Sequence, residues 1–438
     1  MSSQKLTKGQ VRKLGDELRK EISNPSEENL IKLQNYRTSH KDCLANIFSI
    51  LNSVSKKMRP DSITTYRIKR IESILGKLKR YPDMQFDRMW DIAGCRCILK
   101  YESDVHKLHK LLIDHFIVKK INNYYETPQS SGYKSLHLYV TMKGDESNII
   151  ELQLRSVEDH NWATLVEIVD FVYEKKIKEG EKNQQLEKFH RFLSDKNSMD
   201  LAKKKQVIEI VNSHDIYNRL RSIFVANYLE VRKQWMGLGQ LKDKSFFIIE
   251  TKKDEYPLIN SFGCFSEAEE EYFDRFRKNT NANIVLTCLP RANYENISKA
   301  YSNYILTMHT FLEDYCEILS SIIVESVKKR KAIAFYKYYL LYSQTMFSHV
   351  IDIQNELKTI SQYVNKQDKS LETKNWQKDF RKRFIKRKEE MDGLNKNIKK
   401  IYPQYGIPKI VFDFTNRLIN MKLIKDQARI NLSSAKDE

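Results

Sequence analysis

The sequence predicts an α+β domain over 41–180, followed by a mostly helical C-terminal region that carries a small α/β insert. Three observations predict it. Short β-rich runs at 92–99, 116–121, 135–142 and 149–154 alternate with helical stretches at about 104–115 and 157–176, and such interleaving marks an α/β or α+β domain. Apolar residues are 41% and aromatics 11%, enough for a core and against global disorder. Glycine (12) and proline (8) are too scarce for a collagen-like or turn-dense all-β chain. A length of 438 residues suits several domains, placed at 1–40, 41–180, 200–325 and 326–438.

In chain order, 1–50 reads as helical, with a polar break at Asn24-Pro25-Ser26. Residues 61–81 read as one amphipathic helix, because Ile68, Ile71, Ile74, Leu75 and Leu78 recur at helical spacing. The β-rich runs follow, then a polar stretch at 178–185. From about 200 the pattern is helical, interrupted by the insert: strand 245–250, helix 266–278, strand 284–289. Long helices are expected from 293 onward, a charged helix at 372–400, and frayed residues at 433–438. Phe262, Phe265, Tyr272 and Phe273 have core-like spacing.

The six cysteines (Cys43, Cys95, Cys97, Cys264, Cys288, Cys316) contain no C-x-x-C pair, so buried thiols are expected rather than zinc or disulfides. The N-terminus has no apolar signal-like run. The stretch 332–351 is interrupted by Lys337, Gln344 and His349, too polar for a spanning helix. The expected location is cytoplasmic, with no membrane partner.

A formal charge of +19 points to a polyanionic partner: nucleotide, nucleic acid or an acidic surface. Residues 51–80 carry nine basic and two acidic side chains, and 374–400 carry eleven and four. The second cluster interleaves Trp376, Phe380 and Phe384, which suits either an RNA-binding face or a solvated helix with its aromatics buried.

Four segments carry candidate chemistry. Arg67, Lys69, Arg70, Lys77 and Arg80 could hold a polyphosphate, or form only a solvated basic face. Asp91 stands at the mouth of a strand before Gly94 and Arg96, a place for a magnesium ligand or merely a turn cap. Gly132-Tyr133-Lys134-Ser135-Leu136-His137 is a glycine turn leading into a strand; Tyr can stack on a base while Lys and His meet phosphate or ribose. Glu151, Gln153 and Arg155 alternate with Leu152 and Leu154, so three polar groups share one strand face. Two carboxylates converging from two strands can bind a divalent metal, and one can serve as a base.

Together these segments resemble the synthetase domain of the RelA/SpoT family, the alarmone (p)ppGpp synthetases of the stringent response. The motifs stand in family order: R-x-K-x-x-x-S-I-x-x-K-L from Arg67, D-I-x-G-x-R from Asp91, G-Y-x-S-L-H from Gly132, E-x-Q-x-R from Glu151, and Trp162-Ala163. The resemblance implies a nucleotidyltransferase-like mixed five-stranded sheet flanked by helices. It also implies transfer of the β,γ-pyrophosphate of ATP to a ribose 3′-hydroxyl, with AMP leaving. On that resemblance Arg67 and Arg96 would sandwich adenine, and Lys69, Lys77 and Arg80 would hold the ATP phosphates. Asp91 and Glu151 would bind Mg²⁺, with Glu151 also the base. Tyr133 would stack on the acceptor base, and Lys134, His137 and Gln153 would help place the acceptor.

Two departures bear on the acceptor: Asn123 stands where the family often has Asp before Tyr, and Gln129 follows Pro128 where it has Lys. The implied acceptor is GDP or GTP. The alternatives are a toxic relative that pyrophosphorylates tRNA 3′ ends or adenosine nucleotides, and an inactive nucleotide-sensing module. The segment 374–400 remains a candidate RNA contact, and a homo-oligomer is an open option.

Overall fold

The computed structural model describes residues 6–173, 184–238, 244–251, 255–278, 283–289, 292–305, 310–363 and 371–405; the expectations for 178–183 and 433–438 lie outside these residues, as does the side chain of Trp376. The chain is α+β and divides into two compact units, Met1–Lys196 with Glu230–Met308, and Asn197–Leu229 with His309–Glu438.

The first unit opens with three helices, α1 (Lys8–Lys20), α2 (Glu27–Thr38) and α3 (Lys41–Met58). Thr7 and Gln10 cap α1 reciprocally: the Gln10 N–H donates to Thr7 Oγ1 at 3.3 Å, and the Thr7 N–H to Gln10 Oε1 at 2.8 Å. Then come β1 (Ile63–Ile68), α4 (Ile71–Arg80), β2 (Ala93–Leu99), α5 (Glu102–Leu112), β3 (Ile117–Asn123), β4 (Leu136–Met142), β5 (Asp145–Ser156), α6 (Val157–Val172) and α7 (Gln184–Leu193).

The single helix expected over 61–81 is therefore two elements. Ile63-Thr-Thr-Tyr-Arg-Ile68 is a strand because tertiary pairing overrides the apolar spacing: β1 lies between two strands, and Tyr66 is fully buried there. The helical spacing of Ile71, Ile74 and Leu78 is real, but begins only after Lys69-Arg70.

The expected α/β insert is present, and its strands join the first sheet. In chain order after α7 come α8 (Leu201–Ser213) and α9 (Ile216–Gly237), then β6 (Phe246–Thr251), β7 (Leu258–Phe262), α10 (Phe265–Lys278), β8 (Asn283–Cys288), α11 (Tyr294–Ala300) and α12 (Ser302–Ile305). Strands β6 to β8 do not form a separate module. They extend the first sheet to eight strands in the order β3-β4-β5-β2-β1-β8-β6-β7. The join is the antiparallel β1·β8 pair, Thr64 opposite Cys288 and Tyr66 opposite Leu286. The five strands that the resemblance implies are present as β1 to β5. One buried cluster runs through both parts, from Leu44, Ile47 and Phe48 of α3, through Tyr66, Cys95 and Leu152, to Ile248, Tyr272 and Leu286. Each large apolar side chain buried there contributes roughly 1.5–3 kcal/mol. Among the cysteines, Cys264 is exposed and the other five are buried.

The second unit is helical. It holds α8, the part of α9 up to Leu229, α13 (Phe311–Lys328), α14 (Ala332–Tyr363) and α15 (Leu371–Tyr405). Polar ties cross its interior. Tyr217 meets His349 Nε2 at 2.6 Å, Arg221 makes two bonds of 2.5 Å to Asp352, and Tyr339 donates to Asn395 at 2.8 Å. Phe380 and Phe384 of α15 are buried against Val350 and Ile353, so these aromatics build the bundle rather than a base-stacking face. Among the described residues no helix is long and apolar enough to cross a membrane.

Candidate active site

Sheet register assembles the site. The parallel β2·β5 pair sets Gly94 beside Glu151 and Arg96 beside Gln153. The antiparallel neighbours set Arg67 beside Gly94, Tyr139 beside Glu151, and His137 beside Gln153. Paired residues share a face, and the next residue along points the other way. Arg67, Arg96, Glu151, Gln153, Arg155, His137 and Tyr139 thus lie on one face, while Tyr66, Cys95, Leu152 and Leu138 fill the core on the other. Gly94 is needed in this row: a Cβ there would sit 3.0 Å from the Glu151 carbonyl oxygen.

Asp91 lies in the turn before β2. Its two oxygens are taken separately, Oδ2 by Lys69 Nζ and Oδ1 by Lys77 Nζ, each at 2.9 Å. Burial would raise the Asp91 pKa, but the two ammonium groups hold it below the ordinary value. Burial pushes Lys69 down, and Asp91 only partly restores it. Lys69 sits between β1 and α4, where its N–H donates to the Ile92 carbonyl at 2.7 Å. Arg80 ends α4, within a turn of Lys77.

Glu151 is held differently. Oε1 meets His137 Nδ1 at 2.9 Å and accepts from the Tyr139 hydroxyl at 3.1 Å, while Oε2 accepts from Gln153 Nε2 at 2.8 Å. Burial opposes its charge, yet His137, Gln153 and Lys69 hold the carboxyl well below the usual range. The bonds continue outward. His137 Nε2 meets the Tyr133 hydroxyl at 2.7 Å, and Arg155 donates to that same hydroxyl. Gln153 Oε1 accepts from Arg96 Nε at 3.2 Å and from Arg155 at 3.1 Å. Gly132 holds φ +88° in the preceding turn, and a Cβ there would collide with Ser194, so the glycine both turns the chain and admits α7. Lys134 is half-buried between Tyr133 and β4.

A small cleft, open to solvent, lies over part of this face. Arg67, Arg96, Glu151 and Gln153 form its floor, and Val285, Tyr301 and Tyr304 its wall. Arg67 hydrogen-bonds Tyr304 and faces Glu167 and Glu151, which together outweigh burial and keep its pKa above normal. Burial, helped by Arg155 and Arg67, lowers Arg96 to about 10, still charged at neutral pH. Glu167 of α6 also accepts from Asn303 of α12 at 2.5 Å, and His160 of α6 donates Nε2–H to the Ala300 carbonyl at 2.7 Å.

Sequence reasoning missed four of these residues as site members. Tyr139 carried a usable signal, since it alternates in step with His137. Glu167, Tyr301 and Tyr304 carried none. Among the described residues no three His, Cys, Asp or Glu side chains gather as a metal cage. The two carboxylates do fit a magnesium ion, which takes one or two carboxylates and completes its shell with waters and substrate phosphates.

These features define a class of site: an arginine-lined cleft on one face of a mixed sheet, with one ionised carboxylate in it and a second, paired to two lysines, in the turn beside it. Residues 66–178 match the family model described as "Region found in RelA / SpoT proteins". The GTP pyrophosphokinase YwaC of Bacillus subtilis (strain 168) is 31% identical over 140 residues, covering 28% of this chain and 66% of that one. The GTP pyrophosphokinase YjbM of the same organism is 30% identical over 129 residues, covering 27% and 61%. The chain therefore spans less than two thirds of either relative's length. The crystal structure of small alarmone synthetase 1 from Bacillus subtilis superposes with a TM-score of 0.33 at 21% identity, covering 42% of this chain and 96% of that one.

Proposed function

We propose that the first unit is an ATP pyrophosphokinase that moves the β,γ-pyrophosphate of ATP onto a ribose 3′-hydroxyl, with GDP or GTP as acceptor. The observation that carries this reading is the pairing of Lys69 and Lys77 with Asp91 within reach of the Glu151 charge, beside a cleft lined by Arg67, Arg96 and Glu151. Two curated relatives of this region are named GTP pyrophosphokinases, which supports the acceptor class.

The residues divide the work by place. Arg67 and Arg96 present planar cations to the adenine from neighbouring strands. Lys69 and Lys77, now satisfied by Asp91, turn to the phosphates when ATP enters, and Arg80 extends the row. Asp91 and Glu151 would hold Mg²⁺, which when bound supplies charge neutralisation at the phosphate oxygens. Tyr133, Lys134, His137 and Gln153 place the acceptor, Tyr133 through its ring face. In the transfer the 3′-oxygen bonds to the β-phosphorus, the bond to the α-phosphate oxygen breaks, and AMP departs. Phosphoryl transfers proceed through loose transition states, so the hydroxyl proton leaves late. An ionised Glu151 can orient that hydroxyl and take its proton without being a strong base.

A second reading, with tRNA as acceptor, draws on Asn123 and Gln129 and on the exposed basic side chains of α15, such as Lys378, Arg381 and Lys388. Incubation with γ-labelled ATP and GDP, GTP, ATP or bulk tRNA separates the two. Label in GDP or GTP is expected; label only in tRNA would overturn the nucleotide acceptor, and label nowhere would overturn transfer itself.

A further inference from the structure

Helix α10 lies far outside the 66–178 segment, yet it grips the backbone that carries Lys69. The Tyr66 hydroxyl donates to Glu269 at 3.1 Å, and the Ile68 N–H donates to the Tyr272 hydroxyl at 3.0 Å. Next along the chain, Arg37 of α2 donates Nε–H to the Lys69 carbonyl at 2.9 Å. Its guanidinium carbon stands 4.2 Å from the centroid of the Phe276 ring. Gln34 accepts from the same guanidinium at 2.5 Å and donates to the Phe276 carbonyl at 3.1 Å.

Arg37 is 1% exposed, and these partners are a carbonyl, an amide oxygen and a ring, none of them an anion. Burial lowers its pKa only to about 10, so it stays charged at neutral pH. Burying an arginine without a counter-ion costs several kcal/mol in order of magnitude, which a tie made only for stability would avoid with an apolar side chain. The charge is spent on the backbone of one residue. The Lys69 N–H is fixed to Ile92 beside Asp91, and the Lys69 carbonyl is fixed to Arg37.

We propose that Arg37, seated on Phe276 and aided by Tyr272, is a positioning residue for Lys69. It fixes the peptide from which this lysine reaches Asp91 and the ATP phosphates, which makes α10 part of the catalytic unit. The proposal rests on the pyrophosphokinase reading.

The test uses the full chain. Arg37→Met keeps the stem and removes the donor. It should raise KM for ATP by roughly tenfold, lower kcat less, and leave the acceptor KM unchanged. In a Lys69→Ala background it should add less than about twofold, because the lysine it positions is gone. Tyr66→Phe removes a bond to the same helix without touching the backbone of residues 68–70, and should leave KM for ATP unchanged. Amide exchange of peptides spanning 68–70 should quicken in Arg37→Met alone. Unchanged KM for ATP, or a full effect persisting in the Lys69→Ala background, would overturn the proposal. If Arg37→Met does not fold, Tyr272→Phe carries the same expectations. If the wild-type protein labels no acceptor, the transfer reading has failed separately; exchange at 68–70 then decides the brace, and an unchanged rate overturns it.

Discussion

Asp91 and Glu151 are near enough to feel one another's charge, yet they are held by opposite means. Asp91 stands in a turn and is neutralised by two flexible lysines, one per oxygen. Glu151 stands mid-strand and is fixed by His137, Tyr139 and Gln153, side chains locked into the same sheet. The Asp91 side is thus built from ion pairs that can exchange partners, and the Glu151 side from a rigid hydrogen-bond network. A lysine ammonium swivels on a four-carbon stem and can change partners; a paired strand cannot move one side chain without its neighbours.

The sharpest way to break this comparison is Glu151→Gln. It keeps the shape, removes the charge, and should lower kcat for label transfer by about a thousandfold or more. Retained activity would refute the assignment. Asp91→Asn should cost less, about a hundredfold, because Lys69 and Lys77 remain to meet the phosphates; the loss should fall mainly on ATP use in steady-state kinetics. Tyr304→Phe frees Arg67 from a hydroxyl. It should lower KM for ATP by about threefold, as expected for one net hydrogen bond, whereas a raised KM would make that hydroxyl an ATP contact.

The smallest effect concerns pH. Burial lowers His160 to about 3, so between that value and 6.5 the unfolded chain binds a proton that the folded chain does not. Stability should therefore fall as pH drops from 6.5. Asp91 and Glu151, both shifted below their ordinary values, contribute stability above the carboxylate range and lose it only as pH falls through their folded pKa values. Thermal unfolding followed from pH 7 to pH 5 reads the histidine alone among these three. His160→Gln should flatten part of that slope, with His349, also lowered to about 3 by burial, supplying a further part.

Much of the motif-bearing half of the sheet was legible. Strands β2 to β5 fall within a few residues of the β-rich runs, because alternation of apolar and polar residues survives wherever one face is core and the other is a site. The error at 61–81 arose because Ile68 ends a strand and Ile71 begins a helix, and together they mimic a single apolar stripe. Strands β6 and β8 were legible as strands, but their membership in the first sheet was not: Thr64 pairs with Cys288 across more than two hundred residues of chain. No local period encodes a partner that distant. The candidate site divides the same way. Asp91, Glu151, Lys69 and the Gly-Tyr-Lys-Ser-Leu-His turn stand out in short motifs, while Tyr301, Tyr304 and Glu167 are single residues whose place on the cleft arises only when α11 and α12 pack on α6.

The chemistry this protein can offer is written in the sequence: two carboxylates, a run of cations and an aromatic turn, with strand alternation putting Arg67, Arg96, Glu151 and Gln153 on one face. Tertiary structure alone decided the boundaries of the unit that uses them. An extension distant in sequence joins β1 edge to edge, and its helix α10, with Arg37, fixes the peptide of Lys69. Backbone pairing and burial are satisfied by whichever strand and helix arrive there, and the residues near β1 in sequence do not say which those are.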